Sequence, residues 1–158
     1  MNKETVIYVD ADSCPAKVRT VIQKKASSLS IKLVFVSNRP IPFDFENPLF
    51  KSHICPIEKD SADNHIVKNM TQNDIAVTRD ILLAERLVKL NFTVINDRGT
   101  VFTKEKTERM IEERNLSMQM EALGLHKGKD KKNFGEKELS AFTKTFDEVL
   151  KEKLNVLD

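Results

Sequence analysis

Tryptophan is absent and tyrosine occurs once in the 158 residues. No aromatic platform of the kind on which single-stranded nucleic acid stacks firmly is therefore evident. Cysteine occurs twice, at Cys14 and Cys55. Two cysteines build neither a disulfide framework nor a Cys-rich zinc centre, and neither belongs to a C-x-x-C pair. Both are read as buried or partly buried reduced thiols. The three histidines, His53, His65 and His126, lack H-x-x-x-H or Glu-flanked metal spacing, and each is read as structural or exposed. No stretch approaches the ~20 continuous apolar residues of a membrane span. MNKET leads straight into an apolar run without a signal-peptide pattern, so a cytoplasmic address is expected. The net charge is only +2. A nucleic-acid ligand would need a local patch, because the global field is too weak to hold one. Internal repeats and extended low-complexity segments are also missing.

What is present is a charge-rich globular composition, with 40% hydrophobic and 32% charged residues. That suits one domain over residues 1–158 with an ordinary core. Residues 5–10 (TVIYVD) are apolar without strict alternation, as in a strand buried on both faces. Pro15 opens a helix to about residue 27, with Val18, Val21, Ile22 and Leu29 near helical spacing. A strand over 31–37 (IKLVFVS) precedes a loop over 38–49 carrying Pro40, Pro42 and Pro48. A short strand is expected over 53–57, then a helix capped by Ser61. Residues 74–78 (DIAVT) and 92–95 (FTVI) are strands, separated by a helix that Asp80 opens. Thr103 caps a helix to about residue 120. A Gly- and Lys-rich linker with Lys127, Lys129, Lys131 and Lys132 leads to a helix over 136–150, with Leu139, Phe142, Phe146, Val149 and Leu150 on one face. Alternating strands and helices over 5–97, followed by helices over 103–152, point to an α/β fold with right-handed crossovers. The common doubly wound order, 3-2-1-4-5, is assumed.

Four aspartates lie just past strand ends or at helix starts: Asp10 and Asp12 in VDADSCP, Asp63 in DSADN, and Asp80 in VTRD. In the assumed order the first and fourth strands are neighbours, so Asp10 and Asp80 flank the point where strand order reverses. Ligands of α/β sheets bind there. Carboxylates meeting at ~5 Å and an effective dielectric of ~20 repel by about 3 kcal/mol per pair. A hard divalent cation with oxygen ligands removes that cost. Each acid also has a duller explanation. Asp12 or Ser13 would cap the Pro15 helix, Asp80 the Ile81 helix, and Asp63 suits a first turn. Asp10 has no capping duty. Asp97 is a possible fifth member or a turn residue. Arg79 and Arg98 flank strand ends and are candidates for holding a phosphate. The basic stretch at 127–132 reads as a solvated linker.

The strings VDADSCP, ADN, TRDILLAE and the RG of NDRG resemble the YaiI/YqxD family of bacterial proteins, from about Ile7 into the C-terminal helices. The resemblance implies a PIN-like, Rossmann-related three-layer fold. Its central, mainly parallel sheet would have about five strands, with extra helices at the C-terminal end. By the same resemblance, acids after the first strand, on a central helix and after the fourth strand hold Mg²⁺ or Mn²⁺ for phosphodiester hydrolysis, with RNA as the expected substrate. Those roles fall on Asp10, Asp12, Asp63 and Asp80. Thr78, Asn64, Asn38 and Ser13 accompany them. Asp63 stands where PIN domains usually carry the longer Glu, which shortens its reach.

Two rival readings accompany the nuclease. An apolar strand followed by D-x-D also opens aspartate-nucleophile phosphohydrolases of the haloacid-dehalogenase kind, with Asp10 as nucleophile and Asp12 as general acid. NDRG then stands where that family carries GDxxxD or DD. The other reading is a PIN-like module that binds metal or nucleic acid without turnover.

Overall fold

Strand β1 (Val6–Asp10) lies at the centre of the sheet and is buried on both sides. The structure, a computed structural model, describes residues 4–125 and 133–156. His126 and the lysines at 127, 129, 131 and 132 fall outside the described residues. After β1 come a 3-10 turn (Ala11–Ser13), α1 (Ala16–Leu29), β2 (Lys32–Ser37), β3 (Phe50–Ile54), α2 (Ser61–Asn69) and β4 (Ile75–Val77). Then follow α3 (Ile81–Lys89), β5 (Thr93–Ile95), α4 (Lys104–Ala122) and α5 (Glu136–Val156). The strand order is β3-β2-β1-β4-β5, and every pairing between these strands is parallel. This is the expected order, and it is consistent with a three-layer PIN-like or Rossmann-like fold.

The pleat of β1 sorts the core into two layers. Ile7 and Val9 join Val18, Ile22, Phe35, Phe142 and Phe146 on the side of α1 and α5. Tyr8 faces the other way, with Ile66, Leu83, Leu87 and Phe102. Helix α5 buries Phe142, Phe146, Val149 and Leu150, as its sequence spacing predicts. Each such side chain contributes roughly 1.5–3 kcal/mol. The half-exposed Lys25–Asp147 pair between α1 and α5 adds at most about 1 kcal/mol, so packing holds α5 in place.

Three local readings change. The third strand is Phe50–Ile54, three residues before its expected start, in register from Leu33↔Phe50 to Ser37↔Ile54. Pro56 has no amide to continue the ladder. Of the strand's five side chains only Phe50 is buried, so its apolar signal is weak. Ser61 does not cap α2. The capping position is Asp60, in the left-handed region at φ 61, without a side-chain cap bond. The Ser61 hydroxyl instead donates to the Pro56 carbonyl and contacts Asn38 Oδ1. Neither Asp12 nor Ser13 caps α1, whose N-terminal neighbour Pro15 offers no side-chain hydrogen bond. By contrast, Thr103 caps α4 as expected, accepting from Lys106 N.

The turn after β5 needs its glycine. Gly99 has φ +86, and a Cβ there would stand 2.6 Å from the Ala141 carbonyl oxygen of α5. Thr145 Oγ1 donates to the Gly99 carbonyl at 2.9 Å. Gly99→Ala therefore combines an unfavourable backbone conformation with a backbone collision. We expect a loss of about 2 kcal/mol and a melting temperature lower by roughly 4–8 °C. Unchanged thermal unfolding would show that α5 does not seat on this turn.

Candidate active site

The reversal of strand order lies between β1 and β4, which pair through Val9↔Val77. One residue further on, Asp10 and Thr78 stand side by side. Thr78 Oγ1 donates to Asp10 Oδ2 at 2.8 Å, and the same hydroxyl accepts the Asp80 amide at 3.0 Å. A buried threonine thus ties the acid after β1 to the backbone of the acid after β4. Asp80 caps α3, its Oδ1 accepting from Leu82 N and Leu83 N. Among the described residues its other oxygen makes no hydrogen bond. The capping and site readings of Asp80 are therefore compatible.

These residues border a cleft of about 400 Å³ lined by Asp10, Asp12, Ser13, Asn38, Glu58, Asp60, Ser61, Ala62, Asp63, Arg79 and Asp80. All four singled-out aspartates line it, with Ser13, Asn38 and Arg79. Asp12 Oδ2 accepts the Asn38 amide at 2.7 Å, and its Oδ1 lies 3.7 Å from Arg39 Nε. Asp63 makes no hydrogen bond or ion pair among the described residues. Ser13 Oγ is buried without a well-formed hydrogen bond, though it lies near enough to Asp10 to favour that carboxylate's charged form.

Other expected members lie elsewhere. Asp97 is buried and bonded to Arg79 Nη2 at 2.6 Å, outside the lining. Arg98 lies 3.6 Å from Glu138 and over the Phe134 ring. Asn64 accepts from Arg86 at 2.9 Å. The start of α3 is occupied by its own cap, Asp80, and does not offer those amides to a phosphate. Cys14 is buried in the core, and burial pushes its thiol up to about 12, which leaves it inert as a nucleophile.

The cleft's six carboxylates face one arginine, and Asp97 already pairs that arginine. Burial is the main cause that raises Asp10 above the ordinary carboxylate range. The Thr78 hydrogen bond opposes this, and the charges of Asp80 and Asp12 add to it. Asp63 is pushed up to about 6, first by burial, then by Asp80, Asp10 and Asp60, against a smaller pull from Arg86. Asp74, at the opposite end of the strands just before β4, is the contrasting case. It accepts from Val6 N, Thr71 N and Thr71 Oγ1, so its burial is compensated.

A family model described as "Uncharacterized BCR, YaiI/YqxD family" matches residues 8–152. The chain belongs to the YaiI/YqxD family. It is 36% identical over 148 residues to a UPF0178 protein of Treponema denticola, covering 94% of this chain and 93% of that one. A UPF0178 protein of Treponema pallidum is 39% identical over 119 residues, covering 75% and 67%. One from Psychromonas ingrahamii is 34% identical over 144 residues, covering 91% and 94%. No solved structure matches the chain.

In this YaiI/YqxD chain the donor set suits a hard cation: carboxylate oxygens with an orphaned hydroxyl beside them. Among the described residues no three carboxylates bring one oxygen each within 4.8 Å of one another. A strongly hydrated ion held directly by one or two carboxylates fits that spacing. Sequence reasoning missed Glu58, Asp60 and Ser61 as lining residues. The acid-rich string EKDSAD was the available signal, but Ser61 was absorbed by its capping role. It also missed a cluster beyond the lining, where His53, Cys55 and His65 bring one ligand atom each within 4.8 Å. The signal was H-x-C on a strand, since residues two apart share a face.

The raised Asp63 carboxyl makes a stability prediction. Its folded pKa of about 6 exceeds the ordinary 3.8, so the folded state binds the proton more tightly than the unfolded state. The contribution of the Asp63 carboxyl to stability is full below about pH 4 and is lost as pH rises through 6. Asp63→Asn mimics the protonated form. In EDTA it should match the parent near pH 4. At pH 7.5 it should be more stable by about 1 kcal/mol, discounted for half exposure, or roughly 2–4 °C. Equal melting temperatures at both pH values would remove the electrostatic description of Asp63.

Proposed function

We propose that this chain is a Mg²⁺- or Mn²⁺-dependent phosphodiester hydrolase that acts on RNA. The observation that carries the reading is the cleft at the strand-order reversal. Six carboxylates meet there, two of them raised by burial and by their neighbours' charge, with no unpaired basic residue in the lining. Such a cleft repels a phosphodiester, so substrate binding has to be coupled to a cation. RNA as the phosphodiester is carried by the resemblance to PIN-like nucleases.

Asp10, Asp63 and Asp80 would hold the hydrated cation, one or two of them directly and the rest through its waters, with Asp12 beside them. When bound, the cation supplies charge neutralisation and a water acidified toward neutrality. The chain's own residues set the rest. Thr78 fixes Asp10 through its hydroxyl and is a positioning residue. Arg79 is tethered to Asp97 and half exposed, and its remaining N–H groups would grip a phosphate oxygen. Ser13 and Asn38 offer further polar contacts at the cleft wall, and the start of α1 adds amide donors. Arg98 and Asn64 are left out of this assignment because their side chains engage partners outside the lining. In the aspartate-nucleophile alternative Asp12 must donate a proton. Both of its oxygens face donors, an acceptor's arrangement.

With Mn²⁺ and mixed RNA and DNA substrates, the purified protein should cleave RNA. Asp10→Asn should slow cleavage at least ~10²-fold, since even outer-shell changes cost roughly 10–100-fold at metal sites. Cleavage that survives in both Asp10→Asn and Asp63→Asn would sink the mechanism. RNA retained in gel shifts without cleavage across metals would assign a binding module instead. Thr78→Val should weaken Mn²⁺ binding roughly tenfold with the far-UV spectrum unchanged. Unaltered affinity would show that Thr78 does not position Asp10.

A further inference from the structure

We propose that His53, Cys55 and His65 form a binding site for a transition-metal ion of the Zn²⁺ type, separate from the carboxylate cleft. Two imidazoles and one thiol each bring a ligand atom within 4.8 Å of the others. Nitrogen and sulfur donors in this ratio suit borderline ions. They exclude Mg²⁺ and Ca²⁺, which require oxygen. Three protein ligands also leave a fourth tetrahedral position open, and His53 is exposed, so that position can be filled by water.

The fold supplies the convergence. His53 lies in β3 and Cys55 immediately follows it, so the two share one side of the chain at a strand end. The Cys55 amide still donates to the Ser37 carbonyl at 2.7 Å, which extends the ladder and fixes where the thiol points. His65 comes from α2, one helical turn beyond Ser61. Its ring stacks on that of His53 with centroids 3.6 Å apart and planes 10° from parallel. Stacked rings do not aim their lone pairs at a common point, so binding requires the rings to turn about their side-chain bonds. Zn–S of ~2.3 Å and Zn–N of ~2.0–2.1 Å set tetrahedral donors roughly 3.3–3.6 Å apart. Closing from within 4.8 Å is thus a side-chain movement of about 1 Å. Asn69 Nδ2, a donor, lies 3.4 Å from His65 Nδ1, so that contact is released when the ring turns to bind the ion. On binding, the Cys55 sulfur forms the bond to the metal and its proton leaves to solvent.

The site joins the end of β3 to α2 across the segment that carries Glu58 and Asp60, both of which line the cleft. Occupancy would therefore fix one wall of the cleft without contributing a ligand to it. The proposal does not depend on the hydrolase reading.

The test is Co²⁺ titration of the metal-stripped, full-length protein in excess Mg²⁺, which occupies hard-ligand sites. One equivalent should produce a thiolate-to-cobalt charge-transfer band with tetrahedral visible bands, and Zn²⁺ should displace it. Cys55→Ser should abolish the charge-transfer band. His65→Gln and the exposed-site variant His53→Gln should each weaken binding at least tenfold, about the smallest effect of outer-shell changes. Asp10→Asn should leave the band intact. Absence of the band in the folded parent, its survival in Cys55→Ser, or full affinity in both histidine variants would overturn the proposal. Loss of the band in Asp10→Asn would place the ion in the cleft and overturn it equally.

Discussion

The register between β1 and β4 governs the placement of nearly everything of chemical interest. Val9 pairs with Val77, and that match brings Asp10 beside Thr78 and, through Thr78, beside Asp80. A slip of one residue would turn Asp10 toward the opposite layer and exchange Tyr8 with Ile7 and Val9 in the two cores. The apolar side chains on both faces of β1 resist such a slip. The same burial that defines the core thereby holds a charged group at its edge.

Carboxylates in this molecule divide by how their oxygens are satisfied. Asp74 and Asp97 are buried and compensated, one by two amides and a hydroxyl, the other by the charge of Arg79. They stabilise the turns and strand ends where they sit. Asp10 has a single partner, and Asp63 has none among the described residues. Uncompensated charge of this kind is costly to retain, so its concentration around one cleft argues for a ligand that neutralises it. Thr78 matters here because one hydroxyl serves as donor to a side chain and acceptor from a backbone amide.

The fold was legible to the extent that burial left a pattern in the chain. Residues 6–9 and 75–77 are continuous apolar runs because both of their faces are covered, and the Phe142–Phe146 spacing marks a helix with one buried side. Strand β3 was misplaced because it lies at the sheet edge and buries one residue, so hydrophobicity says little about its limits. The four aspartates were readable from their positions after strands and at helix starts. Glu58 and Asp60 were not, because a polar loop carries no periodicity to show which way it folds. Ser61 has a residue type that suits capping, yet the left-handed Asp60 turns the chain so that its hydroxyl faces the cleft loop. The His53–Cys55–His65 group depends on contact between an edge strand and a helix, and helical ligand spacing does not capture it.

Helix α5 shares one cluster with β1, β2 and α1, although more than a hundred residues separate Val9 from Phe142. Its Lys153 also reaches back to the Gln72 carbonyl at 2.7 Å. During synthesis the sheet can form before the ribosome has delivered this last cover. A nascent chain paused ahead of α5 would display part of an apolar sheet face to its surroundings. That interval is when association with chaperones or with other nascent chains is most favoured.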